Sequence, residues 1–250
     1  MNILLTNDDG IDSEGLQKLA KNLRASGKHR VFILAPDINR SGISHALALI
    51  NGPVKVSAVE EDSWNCTGFP ADCVLLALKG IIPLKPDIVI SGINRGANLG
   101  TDIIYSGTAS AARQASLFGI PAIALSLIGN DPYHWDMAAS WSAEHLEELL
   151  SYWKKETFVN VNIPNNPGYP TGLETTWPAE RKYKDCLKNM TTRGGSQWWF
   201  LEGGEEISVS EAGSDCYTVS RNFVSVSVVL NHPSVLDGSS VINAVGFKKE

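Results

Sequence analysis

Short apolar runs alternate with amphipathic segments along the first two-thirds of the 250-residue chain, and that alternation narrows the fold most. The runs at 2–6, 31–35, 87–91, 122–126 and 158–163 read as buried strands, and 54–59 as a weaker one. Between them lie helical patterns. One is capped by Asp12 or Ser13 and carries Leu16, Leu19, Ala20 and Leu23 on one face. Others cover 71–79, 106–118 and 135–155. Strands apolar on both faces, separated by helices, predict an α/β fold with a parallel sheet covered on both sides. Right-handed crossovers bring the strand C-termini to one edge, where ligands of such folds bind.

The texture changes near Asn165. NNPGYPTG is rich in turn formers, and the later chain holds Trp198, Trp199 and Phe200 and an alternating strand at 223–229. Residues 1–164 therefore read as the α/β domain. Residues 165–250 read as a β-rich extension suited to oligomerisation, or alternatively to packing as a subdomain on its own chain.

Lys and Arg number 21 against 27 Asp and Glu, which leaves no basic field for a nucleic acid polymer. No apolar stretch reaches the roughly 20 residues of a membrane span, and the N-terminus lacks signal-peptide features. Cys66, Cys73, Cys186 and Cys216 follow no zinc or CxxC spacing. Four reduced thiols in a cytoplasmic protein are the expectation.

The chemistry concentrates in four segments: NDDG at 7–10, NRSG at 39–42, SGINRGANLG at 91–100 and YSGT at 105–108. Each follows a strand pattern or precedes a helix pattern. Adjacent carboxylates repel and resist burial, so Asp8 and Asp9 require water, a cation or hydrogen-bond donors. With the Ser41 hydroxyl and the Asn94 amide oxygen they form a donor set for a hard divalent cation. Capping by one carboxylate and hydration of the other would account for the pair alone. Gly92, Gly96 and Gly100 permit close backbone approach, and the helix beginning at Ser106-Gly107-Thr108 offers unpaired N–H groups to an anion. Neither GxxxxGK[ST] nor an early GxGxxG is present, so a Walker loop and a dinucleotide cofactor are unsupported.

Taken in order, NDDG, NRSG, GFPADCV at 68–74 and SGINRGANLG followed by DIIYSGTASAA resemble the SurE family of survival-protein nucleotidases over most of residues 1–165. The resemblance implies a Rossmann-like three-layer α/β sandwich. It also implies a C-terminal extension exchanged between subunits of a homodimer or homotetramer. It implies metal-dependent hydrolysis of nucleoside 5′-monophosphates and sometimes 3′-monophosphates, with short polyphosphate a further substrate of some members. Carried over by position, the metal ligands are Asp8, Asp9, Ser41 and Asn94, for one Mg2+, Mn2+ or Ca2+ per subunit. The phosphate-binding groups are Asn98, Ser106, Gly107 and Thr108. The chain departs from the family pattern at Gln114-Ala115, Phe69 and Ala48.

Asp8 is the candidate nucleophile or general base, with Asp9 mainly a ligand. The competing reading is a phosphate- or nucleotide-binding signalling domain without hydrolytic turnover. A response-regulator form of it would need an Asp after the third strand and a Lys after the fifth. Glu60, Glu61 and Asp62 follow the weak strand, but no Lys lies near the end of 122–126.

Overall fold

The computed structural model describes residues 1–204, 206 and 210–233. The last part of the expected 165–250 extension therefore lies outside the described residues. Eleven strands run in chain order: β1 (Asn2–Thr6), β2 (Arg30–Pro36), β3 (Val56–Glu60), β4 (Ser63–Cys66), β5 (Ile88–Arg95), β6 (Ala122–Ile128), β7 (Thr157–Pro164), β8 (Gly172–Thr176), β9 (Cys186–Thr191), β10 (Gln197–Glu202) and β11 (Phe223–Leu230). Nine form one sheet in the order β3-β4-β2-β1-β5-β6-β7-β11-β8. Only the β3–β4 and β7–β11 pairs are antiparallel. The mostly parallel sheet expected from the alternation is present, with the Rossmann-like architecture that the resemblance implied.

Period-two side-chain alternation divides the core between two layers. Ile3 and Leu5 pack with Leu16 and Leu19 of α1 (Glu14–Ala25). Trp141 of α4 (Trp135–Glu144) and Leu149 of α5 (Leu146–Ser151) join the same face. Leu4, on the opposite face, packs with Cys73 and Val74 of α2 (Pro70–Leu76) and Ala109 and Ala112 of α3 (Gly107–Leu117). The alanines of α3 let that helix lie close to the sheet.

The chain passes from β1 to β2 on one side and later inserts β5 on the other. The strand order thus reverses between β1 and β5, the place where open α/β sheets bind ligands. Asp8 and Asp9 follow β1, and Asn94 lies at the end of β5.

Several expected elements shift. The strand expected at 87–91 continues to Arg95 through a register irregularity between Ser91 and Asn94, so half of the glycine-rich segment is strand. The weak strand begins at Val56 and turns at Asp62, whose φ is 57°, into β4. The helix expected over 135–155 breaks at His145 (φ −97°, ψ 10°). The His145 ring stacks on Trp141 with centroids 4.2 Å apart, and its Nδ1 lies 2.8 Å from the Trp141 carbonyl. Beyond residue 165, β8 and β11 extend the main sheet. In contrast, β9 and β10 form a separate antiparallel ribbon that is exposed throughout.

Candidate functional site

NDDG is a built turn. Asn7 is fully buried, and its Nδ2 donates to the Gly10 carbonyl at 2.8 Å and to Ser13 Oγ at 2.6 Å. The Ile11 N–H donates to the Pro36 carbonyl at 2.8 Å, tying the turn to the end of β2. These bonds direct Asp8 inward, where it is 4% exposed. Asp9 stays half-buried at the mouth.

The start of α3 closes on Asp8. Thr108 Oγ1 donates to Asp8 Oδ1. A Cβ at Gly107 would stand 2.7 Å from the Asp8 Cβ and 2.9 Å from its Oδ2. Glycine is therefore what lets this helix start reach the carboxylate. Ser106 caps the helix by accepting the Ala109 N–H at 3.0 Å. Its hydroxyl is thus spent on its own helix, and it shapes the helix start through that cap.

Asp9 Oδ2 accepts the Arg95 backbone N–H at 2.9 Å, which brings the end of β5 against the pair. Neighbouring Asn94 is buried, and its Nδ2 donates to the Gly96 carbonyl at 3.0 Å, committing the amide N–H and leaving its Oδ1 as the donor atom for a cation. The NRSG segment arrives through the Arg40 N–H, which donates to the Asp8 carbonyl at 2.6 Å. Ser41 is next in the chain and exposed, its N–H held by Asn39 Oδ1 at 2.8 Å. Asn98 stands further along the edge. Its N–H donates to Asn162 Oδ1 at 2.9 Å, and its Nδ2 donates to Ser126 Oγ at 2.8 Å.

Burial raises the Asp8 carboxyl from 3.8 to about 6, with repulsion from Asp9 adding to it and the Thr108 hydrogen bond opposing it. Burial also raises Asp9, against the Arg95 N–H and the Arg95 charge. The Arg95 guanidinium itself is turned to Asp131, and Arg40 is turned to Asp37 and the Thr67 carbonyl. The pair is thus an incompletely neutralised anionic centre among neutral oxygen donors. That chemistry fits a hard divalent cation. Among the described residues no group of three His, Cys, Asp or Glu side chains assembles.

Four positioning residues escaped the sequence reading. Asn160 and Asn162 of β7 both donate Nδ2 to the Asn98 carbonyl, at 2.8 and 3.0 Å. Their signal was the alternation of asparagines in FVNVNI. Asp72 of GFPADCV accepts the N–H groups of Phe69, Ala48 and Leu49, fixing the segment that follows NRSG. Asp215, at the start of α6 (Asp215–Ser220), is fully buried and accepts from Gly100, Ala179 and Cys216.

Comparison with known proteins agrees with this architecture. The model of the family described as Survival protein SurE matches residues 3–185. A 5′-nucleotidase SurE of Stenotrophomonas maltophilia (strain K279a) is 38% identical over 234 residues, covering 92% of this chain and 89% of that one. One of Acinetobacter baumannii (strain SDF) is 38% identical over 241 residues, covering 92% and 93%. The crystal structure of the SurE protein from Aquifex aeolicus superposes with a TM-score of 0.83 at 33% identity, over 98% of each chain. By sequence and by fold, the chain belongs to the SurE survival-protein family.

Proposed function

We propose that this chain is a phosphoric monoester hydrolase that cleaves nucleoside 5′-monophosphates to nucleoside and phosphate. The observation that carries the reading is the closure of the α3 start on Asp8, joined to membership of a family whose relatives are named 5′-nucleotidases.

Asp8, Asp9, Ser41 and Asn94 would hold one Mg2+, Mn2+ or Ca2+ per subunit. When bound, such an ion supplies Lewis-acid polarisation of a phosphoryl oxygen. The protein's own groups do the rest. The helix start at Ser106, Gly107 and Thr108 presents N–H groups to the phosphate, with Asn98 orienting the approach. Thr108 donates to one Asp8 oxygen, which leaves the other for the ion or the reacting group. Asp8 is the candidate general base that takes the proton of the attacking water. Direct attack by the same oxygen would instead give an aspartyl-phosphate, trapped by acid quench. The same site would accept 3′-monophosphates and short polyphosphate as slower substrates.

Association of copies as a homodimer or homotetramer is supported by Leu187, Met190, Trp198 and Phe200, apolar and exposed on the β9–β10 ribbon. No helix among the described residues is long and apolar enough to cross a membrane, in keeping with a cytoplasmic enzyme.

The test is phosphate release from AMP, GMP, 3′-AMP and tripolyphosphate, with and without Mg2+, Mn2+ or Ca2+. Metal-dependent release, fastest from a 5′-monophosphate and abolished by chelator, is expected. Nucleotide binding without release under every metal would overturn the reading in favour of a binding domain.

A further inference from the structure

We infer that Tyr105 is the stacking platform for the nucleobase, and that the cavity beside it receives the nucleoside half of the substrate. The inference rests on the proposed phosphatase reading and deepens it.

A cavity of about 670 Å3 opens between the turn at Gly100–Ile104 and the chain around residues 180–185, with Leu201 of β10 on its rim. Its volume lies within the ~300–1,000 Å3 range of small-molecule sites. Tyr105 is 65% exposed there, yet its backbone is fixed at both ends. Its N–H donates to the Asp102 carbonyl at 3.0 Å, and its carbonyl accepts the Ser44 N–H at 2.9 Å. Ser44 Oγ also donates to the Ile104 carbonyl at 2.7 Å. An aromatic ring held on a rigid backbone but left uncovered is suited to bind a flat ligand at low entropic cost.

The polar groups of this cavity are already engaged. Arg181 pairs with Asp102 and Glu206. The Tyr183 hydroxyl donates to Asp102 at 2.6 Å. Asp185 accepts the Gly204 N–H at 2.9 Å, and Glu180 pairs with Lys182 at 2.9 Å. Thr101 Oγ1 donates to the Arg181 carbonyl at 2.9 Å and accepts its N–H at 3.1 Å. The Arg181 guanidinium also covers one face of Tyr183, 5.3 Å from the ring centroid, so the remaining contact surface is Tyr105 and the other face of Tyr183 with Ile104 and Leu201. Such a surface recognises a base by its π-face and not by its hydrogen-bonding edge, so purines and pyrimidines are both admitted.

Reach assigns the occupant. Gly107 touches Asp8, and two residue steps separate Tyr105 from Gly107, at most about 7.6 Å between Cα atoms. The Tyr105 backbone therefore lies within the length of one nucleoside of a phosphoester seated at the α3 start.

The experiment measures kcat and KM for AMP, CMP and ribose 5-phosphate with Mn2+, in the full chain and in Tyr105→Ala and Tyr105→Phe. The wild type should prefer the nucleotides. In Tyr105→Ala, the ratio of kcat/KM for AMP to that for ribose 5-phosphate should fall about 10-fold, chiefly through KM, as loss of one base–aromatic stack requires. Tyr105→Phe should keep the ratio. Equal losses on all three substrates would overturn the inference, as would an unchanged ratio. A change in assembly mass by light scattering, with equal losses, would mark the face as a contact between copies instead. A Leu201→Ala variant, on the cavity rim, should lower the same ratio in the same direction. Wild-type turnover of ribose 5-phosphate as fast as AMP would sink this inference alone, whereas no release from any substrate would remove the phosphatase reading beneath it.

Discussion

The Asp215 carboxylate accepts the Gly100 backbone N–H at 2.6 Å across 115 positions of sequence. Through this bond a buried acid late in the chain holds the loop that leads from Asn98 to the α3 start. Gly100 has φ +52°, and a Cβ there would lie 2.1 Å from the Ala179 carbonyl oxygen, so the clamp closes only on glycine. The other Asp215 oxygen accepts from Ala179 at 2.9 Å and Cys216 at 2.8 Å.

Asp215→Ala leaves those buried N–H groups without an acceptor, at about 1–3 kcal/mol for each group stranded. The melting temperature should fall by roughly 10 °C, allowing about 2–4 °C per kcal/mol for a chain of this size. Asp215→Asn keeps an acceptor oxygen and should fall less. Calorimetry on the three proteins checks this, and a shift under about 1 °C in the alanine variant would contradict it.

Gly107→Ala places a methyl group against Asp8. Displacing the carboxylate by even 1 Å should cost on the order of 100-fold in kcat/KM for AMP. Gly168, with open space around it and an ordinary φ, is the control site. Gly168→Ala should retain full turnover and melt near the wild type. Turnover near normal in Gly107→Ala would show that the close approach has no catalytic consequence.

The Asp8 shift also sets the acid–base behaviour of the metal-free protein. Its carboxyl rises from 3.8 to about 6 on folding. The native state therefore binds the proton more tightly, and stability from this group is full below pH 3.8. It is lost as pH climbs through about 6, leaving a cost of about 3 kcal/mol above that. Asp8→Asn removes the charge. In denaturant unfolding with chelator present it should exceed the wild type by that amount at pH 7.5 and match it near pH 3.5. A constant difference across the range would contradict the assignment.

The central strands were legible because burial on both faces leaves an unbroken apolar run, as in NILLT and VFILA. The short strand SWNC, one in from the sheet edge, was not, since Ser63 and Cys66 are buried by their neighbours without any pattern of their own. The break at His145 was hidden by continuous helical periodicity on either side. Within the site, the oxygen-rich residues could be read because they gather in four short segments that follow a strand pattern or precede a helix pattern. Asp215 and the asparagine pair of β7 could not, because their roles exist only through contacts more than 30 residues away along the chain.

Direct titration of Mn2+ into the chelator-stripped protein, followed by electron paramagnetic resonance, tests the central assignment most directly. One ion per chain should bind the wild type, and Asp8→Asn, Asp9→Asn and Asn94→Ala should each weaken that binding by at least tenfold. Binding of equal strength in all four proteins would show that the ion, and with it the proposed chemistry, belongs elsewhere.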